Sequence, residues 1–211
     1  MPRQLVIMAR APVMGRVKSR LAADIGLVTA TSFYRHELSR LVRILGQDPR
    51  WGTTLAVTPD SSAGASFWSG HLPPVAQGRG DLGERMGRIM RAMPPGPVVI
   101  VGSDVPQLGP GHIARAFAAL GAADAVFGPA SDGGYYLVGL RRVPRVPNAF
   151  CDVRWSGPHA LCDTLANLEG LTTAFLEPLG DIDTGDDWRR WRDGAVTDRP
   201  APNRVRCRTG R

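Results

Sequence analysis

Short apolar runs that suit buried β-strands alternate with amphipathic segments along most of this chain. The clearest strand lies at residues 98–101, and similar runs occur at 5–9 and 53–58. Apolar residues recur at helical spacing in 31–45 and in 82–93, where two prolines follow. Alternating strands and helices predict a three-layer α/β/α fold with a mainly parallel, mixed central sheet. Further predicted elements are helices at 113–120, 159–168 and 186–192 and strands at 125–127, 135–140 and 172–176.

The length of the chain, 211 residues, is compatible with a single domain. We predict one domain over residues 1–193 and a disordered basic tail over 194–211, because the tail has prolines, five arginines and no apolar periodicity. The tail supplies +4 of the net charge of +7. The overall charge is therefore a weak argument for nucleic acid, which we do not expect as a partner.

The sequence shows neither a membrane span nor a secretory signal. The first apolar run, residues 5–9, ends at Arg10 and is shorter than the core of a signal peptide. No run approaches the roughly 18 apolar residues of a transmembrane helix. We therefore expect a cytoplasmic protein without a membrane partner.

A cation-rich loop follows the first predicted strand and contains Arg10, Gly15, Arg16, Lys18 and Arg20. Glycine permits a tight turn, and amides at the start of a helix favour anions. Lysine supplies a point charge for phosphate, and arginine can bind phosphate through two hydrogen bonds. The loop predicts a phosphate site, with a solvated basic loop as the alternative. It is not a Walker loop, because the GxxxxGK pattern is absent.

Carboxylates follow two later strands. Asp104 comes soon after the strand at 98–101, and Asp181 and Asp183 alternate after the strand at 172–176. Magnesium typically takes one or two carboxylates and completes its shell with phosphate and water, so Asp104 and a carboxylate of the later segment could share a metal. Alternatively, Asp104 could cap the helix or turn that follows it, and Asp183 or Thr184 could cap the last helix; the spacing alone does not decide.

Two glycine-rich turns complete the candidate set. Asp132 precedes two glycines in a predicted hairpin turn and is either a turn residue or a functional one, which would contact the second substrate or serve as a base. Residues 78–83 match GxGxxG and could close over the nucleotide or the acceptor. The preceding proline-containing segment, 73–77, is a poor central strand, which disfavours a dinucleotide site.

The motifs occur in an order that resembles a known family. In chain order they are RAPVMGRVKSRLA, QGRGDLGERM, GSDVPQL, GPASDGGYYLVGL, VRWS and DIDTGDD. Together they resemble a bacterial family of glycosyltransferase-like proteins, often described as arsenosugar-biosynthesis glycosyltransferases, within the nucleotide-diphospho-sugar transferase (GT-A) superfamily. The likeness covers residues 5–188. It implies the GT-A fold and a transferase with a nucleotide-linked donor and an unknown small-molecule acceptor.

The resemblance also implies roles for individual residues. Asp104 stands where GT-A enzymes place a metal-binding aspartate, and Asp183 where related nucleotidyltransferases place a second metal or phosphate contact. The usual DxD pattern is absent, because Pro106 replaces the second acid. The implied cofactor is Mg²⁺ or Mn²⁺. The catalytic candidates are Asp104, Asp132 and Lys18, and the nucleotide- or phosphate-binding candidates are Arg10, Ala11, Gly15, Arg16, Lys18, Arg20, Gly80, Asp81 and Ser103.

Two reactions fit these motifs, because the first loop is also similar to that of phospholactate guanylyltransferases, which share the fold. Glycosyl transfer expels a nucleoside diphosphate, whereas nucleotidyl transfer expels pyrophosphate, and both use a divalent ion and precise positioning. The four cations of the loop slightly favour a triphosphate, and the family likeness favours a nucleotide sugar. Glycosyl transfer is therefore our first hypothesis, nucleotidyl transfer the second, and a non-catalytic nucleotide-binding protein the third.

Overall fold

The computed structural model describes residues 1–65, 67–68, 72–143 and 146–194. Apart from Gly194, the predicted disordered tail lies outside the described residues. In chain order the elements are β1 (Gln4–Arg10), α1 (Ser19–Ile25), α2 (Leu27–Gly46), β2 (Gly52–Thr58), a 3₁₀ turn (Asp60–Ser62), β3 (Pro74–Ala76), α3 (Leu82–Ala92), β4 (Val98–Gly102), α4 (Pro110–Ala119), β5 (Ala125–Pro129), β6 (Tyr135–Leu140), α5 (Ala160–Ala166), β7 (Thr173–Phe175) and α6 (Gly185–Arg192).

Seven strands form one sheet in the order β3-β2-β1-β4-β6-β5-β7. Strand β6 runs antiparallel to β4 and β5, and the other paired strands are parallel. The prediction of a mainly parallel, mixed sheet is thus confirmed. Strands β1 and β4 are neighbours, with Met8 opposite Gly102, so the loops that follow them emerge at the same edge of the sheet.

Helices cover both faces of the sheet. Leu5 and Ile7 of β1 pack into a buried cluster with residues of α2 and α4, whereas Val6 and Met8 pack with residues of α3 and α5. Successive side chains of a strand point to opposite faces, so a strand covered on both sides must be apolar throughout. This arrangement confirms the three-layer α/β/α prediction and explains the uninterrupted apolar run of β1.

A third cluster joins α1 to α6. Leu21 of α1 and Ile182, which precedes α6, are fully buried together, and Trp188 packs against them. The packing brings the segment after β7 beside the cation-rich loop. Helix α1 is absent from the predicted elements, because its buried residues, Leu21 and Ala22, are adjacent and show no helical spacing.

Strand β3 is a three-residue edge strand that begins at Pro74. A proline is tolerated at the edge of a sheet but not in its centre, as the sequence indicated. Among the described helices, none combines the length and the apolar character that crossing a lipid bilayer requires.

Candidate functional site

A cleft of about 560 Å³ opens at the sheet edge where β1 and β4 end. The cation-rich loop forms one wall, and Leu82 and Arg85 of α3 contribute to the other side. This is where α/β folds bind ligands, beyond the carboxyl ends of parallel strands. The predicted site residues that line the cleft are Arg10, Arg16, Lys18, Arg20, Ser103, Asp104 and Asp183.

Lys18 connects the three predicted motifs of the cleft. Its ammonium lies 3.0 Å from Asp183 Oδ1 and 3.3 Å from Asp104 Oδ1, and only 5% of its side chain is exposed. Arg20, which is largely exposed, approaches Asp183 Oδ2 at 3.8 Å. Burial lowers the pKa of Lys18, but the negative charges of Asp104 and Asp183 outweigh burial, so the pKa is raised overall. One buried, protonated ammonium is thus shared by two carboxylates.

Neither carboxylate caps a helix, so the capping interpretation is wrong for both residues, and their binding of a metal stays a prediction. Helix α4 begins after Gly109, so Asp104 is not its N-cap. Helix α6 is capped by Thr184, whose hydroxyl accepts a hydrogen bond from the Asp187 N–H. The Gly185 N–H donates to the Asp24 carboxylate at 2.7 Å and ties α6 to α1. Asp104 and Asp183 are therefore available to a ligand of the cleft.

Tyr34 of α2 joins the ends of β1 and β4. Its hydroxyl donates to the Arg10 carbonyl oxygen at 2.9 Å, accepts from the Arg10 N–H at 3.0 Å and lies 3.1 Å from Ser103 Oγ. Burial and the charge of Asp104 raise the pKa of Tyr34, so the phenol stays neutral. Sequence analysis missed this residue, because a tyrosine on the apolar side of a helix resembles an ordinary core residue.

Gln77 and Arg85 form a hydrogen-bonded pair that sequence analysis also missed. The buried Gln77 amide donates to the carbonyl oxygens of Ala9 and Ala56 at 3.1 and 2.9 Å. Its Oε1 accepts from Arg85 at 2.9 Å. The pair therefore holds a guanidinium in the cleft. No local pattern marks Gln77, because its partners lie 68 and 21 positions away in the chain.

Two further carboxylates lie beside the cleft. Burial and the negative charges of Asp183 and Asp132 raise the pKa of Asp181 to about 6. Asp132 is exposed, and its carboxylate accepts a hydrogen bond from the Gly134 N–H at 2.9 Å. The structure places Asp132 near enough to repel Asp181 but not in the lining of the cleft. Its role toward an acceptor stays a prediction.

Four other candidates do not line the cleft. Asp81 caps α3, where its carboxylate accepts from the Glu84 N–H and Glu84 accepts from the Asp81 N–H, both at 2.8 Å. Gly80 precedes this cap with a φ of 104°. Ala11 is buried and donates its N–H to Thr58, and Gly15 is exposed with a φ of 73°. Their contacts with a nucleotide stay predictions.

The donor set suits a divalent cation held jointly with phosphate. Among the residues that the structure describes, no group of three or more His, Cys, Asp or Glu side chains could hold a metal by itself. Asp104 and Asp183 nevertheless direct one oxygen each at a single cation, the Lys18 ammonium. Magnesium commonly binds to one or two carboxylates together with phosphate and water, so two carboxylates are sufficient.

Solved structures with the same fold include nucleotide-dependent enzymes. A protein from Desulfovibrio desulfuricans G20, provisionally named a nucleotide-diphospho-sugar transferase, matches with a TM-score of 0.83 and 26% identity over 94% of this chain and 90% of its own. The inositol-1-phosphate CTP transferase of T. maritima matches with a TM-score of 0.59 and 12% identity, over 88% and 91%. Rv0371c of Mycobacterium tuberculosis H37Rv, in complex with manganese, matches with a TM-score of 0.52 and 18% identity, over 90% and 96%. These likenesses confirm the predicted nucleotide-diphospho-sugar transferase type of fold.

Sequence comparison assigns the chain to a protein family. No curated protein matches it in sequence. A family model described as an uncharacterized protein conserved in bacteria, DUF2064, matches residues 41–157, which include Asp104 and Asp132. The chain therefore belongs to the DUF2064 family.

Proposed function

We propose that this protein is a metal-dependent transferase that uses a nucleotide-linked donor, with glycosyl transfer from a nucleotide sugar as the first reaction to test. The observation that carries the proposal is the meeting of Lys18, Asp104 and Asp183 in a cleft at the ends of β1 and β4. Cations and carboxylates that line one cleft suit a metal-chelated phosphate chain. The likeness to the D. desulfuricans protein supports a nucleotide sugar as donor.

The cleft provides separate groups for the metal and for the phosphates. Asp104 and Asp183 would hold Mg²⁺ or Mn²⁺, and a bound cation of this kind neutralises charge on the leaving phosphates. Arg10, Arg16 and Arg20 line the same cleft and would bind phosphate oxygens. The manganese complex of Rv0371c supports a metal on this fold.

In glycosyl transfer, the bond between the sugar carbon and the diphosphate breaks while an acceptor oxygen forms a bond to that carbon. The diphosphate gains negative charge, which Lys18 and the arginines of the cleft would stabilise. The acceptor hydroxyl loses its proton, and Asp132 is our candidate for the base, since it lies beside Asp181 at the margin of the site. The acceptor is a small molecule of unknown identity.

Nucleotidyl transfer is the second candidate. In that reaction an acceptor oxygen attacks the α-phosphorus of a triphosphate and pyrophosphate leaves. Arg85 adds a further guanidinium to those of the first loop, and this number of cations suits a triphosphate. The fold shared with a CTP transferase supports this alternative. A protein that binds nucleotides without turnover is the third candidate.

The discriminating experiment measures which product is released. The full chain is incubated with Mg²⁺ or Mn²⁺, a panel of small acceptors, and either nucleotide sugars or nucleoside triphosphates. We expect metal-dependent release of a nucleoside diphosphate from one nucleotide sugar, whereas release of pyrophosphate would establish the second candidate. Asp104→Asn should lower turnover by about 100-fold or more, as is typical when a group that stabilises charge is removed.

Asp186→Asn is a matched control for this variant. Asp186 lies in the same acidic segment as Asp183, but its side chain is 76% exposed and does not line the cleft. The control should retain turnover. Nucleotide binding without turnover of any donor would establish the non-catalytic candidate, and full activity of Asp104→Asn would remove Asp104 from the metal site.

A further inference from the structure

Lys18 lies between the two carboxylates to which a metal would bind. We propose that its ammonium substitutes for the divalent cation in the metal-free protein, so that metal binds tightly only together with donor phosphates that attract Lys18 away. This inference rests on the proposed function and concerns the order in which the site is filled. It makes Lys18 a built-in competitor of the metal as well as a phosphate contact.

The geometry is that of one cation shared by two anions. Asp104 Oδ1 and Asp183 Oδ1 both lie within 3.3 Å of Lys18 Nζ, and the side chain is almost completely buried. Asp181 adds a third negative charge that acts on Lys18. Without a cation these carboxylates would repel one another in a partly desolvated site. The metal-free protein therefore needs the ammonium where it lies.

A metal held by Asp104 and Asp183 would draw on the same pair of carboxylates. The Asp104 and Asp183 side chains are 51% and 39% exposed, but the Lys18 ammonium that they share is almost completely buried, so a metal ion on the same two oxygens would be repelled by it. Since Lys18 belongs to the same chain, it is present at a high effective concentration, and free metal must displace it. A bound phosphate favours this displacement, because it offers the ammonium a new anionic partner in the same cleft.

The residue type at position 18 supports the inference. Lys18 is the only lysine in a chain whose Lys and Arg residues number 26, so arginine occupies every other such position. A lysine ammonium is a compact point charge, whereas a guanidinium is a planar fork of donors. The ammonium concentrates its charge on one group between the two carboxylate oxygens, as a metal ion would.

The backbone at Lys18 is also unusual. Its φ of 49° and ψ of 45° lie in the left-handed region, which residues other than glycine rarely adopt. Such a conformation persists where other contacts compensate for it, here the two ion pairs of Lys18. Release of the ammonium removes that compensation. Gly15 and Arg16 are exposed, but Val17, directly before Lys18, is buried in the core, so release of the ammonium need involve only the Lys18 side chain.

The test is calorimetric titration with Mn²⁺ alone and with Mn²⁺ plus inorganic pyrophosphate, so that it needs neither the true donor nor turnover. For the wild-type protein we expect weak binding of Mn²⁺ alone and binding at least about tenfold tighter with pyrophosphate. Lys18→Met should bind Mn²⁺ alone at least about tenfold more tightly than the wild type, and pyrophosphate should add little.

Two controls test whether the effect requires the removal of positive charge at position 18 rather than elsewhere. Lys18→Arg keeps a positive charge beside the carboxylates but spreads it over a planar guanidinium, so it should bind Mn²⁺ alone less tightly than Lys18→Met does. Arg189→Met removes a cation of α6 that pairs with Asp186 and does not line the cleft, and should change the Mn²⁺ affinity by less than about threefold. Lys18→Gln, a neutral variant that can donate to a carboxylate, replaces Lys18→Met if the latter does not fold.

A second measurement needs no metal. In the presence of a chelator, Lys18→Met should unfold at a lower denaturant concentration than the wild type, and combination with Asp104→Asn should recover part of the loss. Equal Mn²⁺ affinities of the wild type and Lys18→Met would overturn the inference but leave the proposed metal dependence intact. No Mn²⁺ binding by any variant, with or without pyrophosphate, would overturn both.

Discussion

Two loops of this protein have similar sequences but use their polar side chains differently. Each loop combines glycine with charged residues and leads into a helix, the first into α1 and the second into α3. In the second loop, Asp81 and Glu84 form a capping box and satisfy each other's backbone N–H groups. In the first, Lys18 occupies the N-cap position without a capping hydrogen bond and extends to carboxylates far away in the chain.

The difference shows how a local pattern can serve either stability or binding. The hydrogen bonds of the α3 cap form within three residues and need no ligand. The charged groups around the first loop have partners in other elements. Burial of Lys18 and Asp181 beside other charged groups costs desolvation free energy. Substitutions in the cleft should therefore reduce activity more than stability, and substitutions in the cap should do the reverse.

The largest expected effect is that of Asp183→Asn in the cleft. Because this carboxylate is a proposed metal ligand, its loss should lower kcat/KM by about 100- to 1000-fold for whichever donor is turned over. Steady-state kinetics at several metal concentrations measures the effect. Retention of more than about a tenth of the activity would remove Asp183 from the proposed metal site.

Tyr34→Phe tests the hydrogen bonds that join the first loop to β4. Loss of the hydroxyl leaves the Arg10 N–H and the Ser103 hydroxyl short of a buried partner, so the free energy of unfolding should fall by about 1–3 kcal/mol. Donor binding should weaken as well, because Arg10 and Ser103 line the cleft. Urea unfolding and titration of the donor give the two values. Unchanged donor affinity would limit Tyr34 to a structural role.

Asp181→Asn should stabilise the protein near neutral pH. The folded-state pKa of about 6 exceeds the ordinary value of 3.8, so folding favours the protonated carboxyl. That stabilisation is complete below about pH 3.8 and is lost as the pH rises through 6. Since the group is partly solvated, we expect a gain of about 1–2 kcal/mol from the substitution at pH 7.5.

Urea unfolding of wild type and Asp181→Asn at several pH values checks this expectation. The difference between the two proteins should shrink as the pH falls below 6 and become negligible near pH 4. A constant difference at every pH would show that ionisation of Asp181 is not its cause.

The smallest expected effect is that of Asp81→Ala in the α3 cap. Loss of the cap should lower the free energy of unfolding by about 1 kcal/mol. We expect kcat/KM to stay within about threefold of wild type, since Asp81 does not line the cleft. Glu84→Ala, which removes the other half of the capping box, should behave alike. A 100-fold loss of activity in Asp81→Ala, but not in Glu84→Ala, would support the predicted contact of Asp81 with the nucleotide.

The sequence by itself determined the layers of the fold and the place of its cleft. Apolar runs located β1 and β4, and helical spacing located α2 and α3, because strand and helix periods are short-range properties of the chain. Charged residues directly after β1 and β4 then indicated the functional edge of the sheet. Helix α1 shows no such period, because its two buried residues are adjacent, and the strand that begins at Pro74 has a low strand propensity, so neither was predicted.

Only the tertiary structure decided which side chains meet. Lys18 and Asp183 are 165 positions apart, and Tyr34 and Ser103 are 69 apart, so no local pattern links them. Their contacts depend on the order of the strands and on the packing of α1 against α6. Asp81 is the opposite case, because its capping partner, Glu84, is only three residues away and the two residues form their hydrogen bonds locally. The spacing of apolar residues along the chain determines its helices and strands, whereas the packing of those elements determines which charged side chains come into contact.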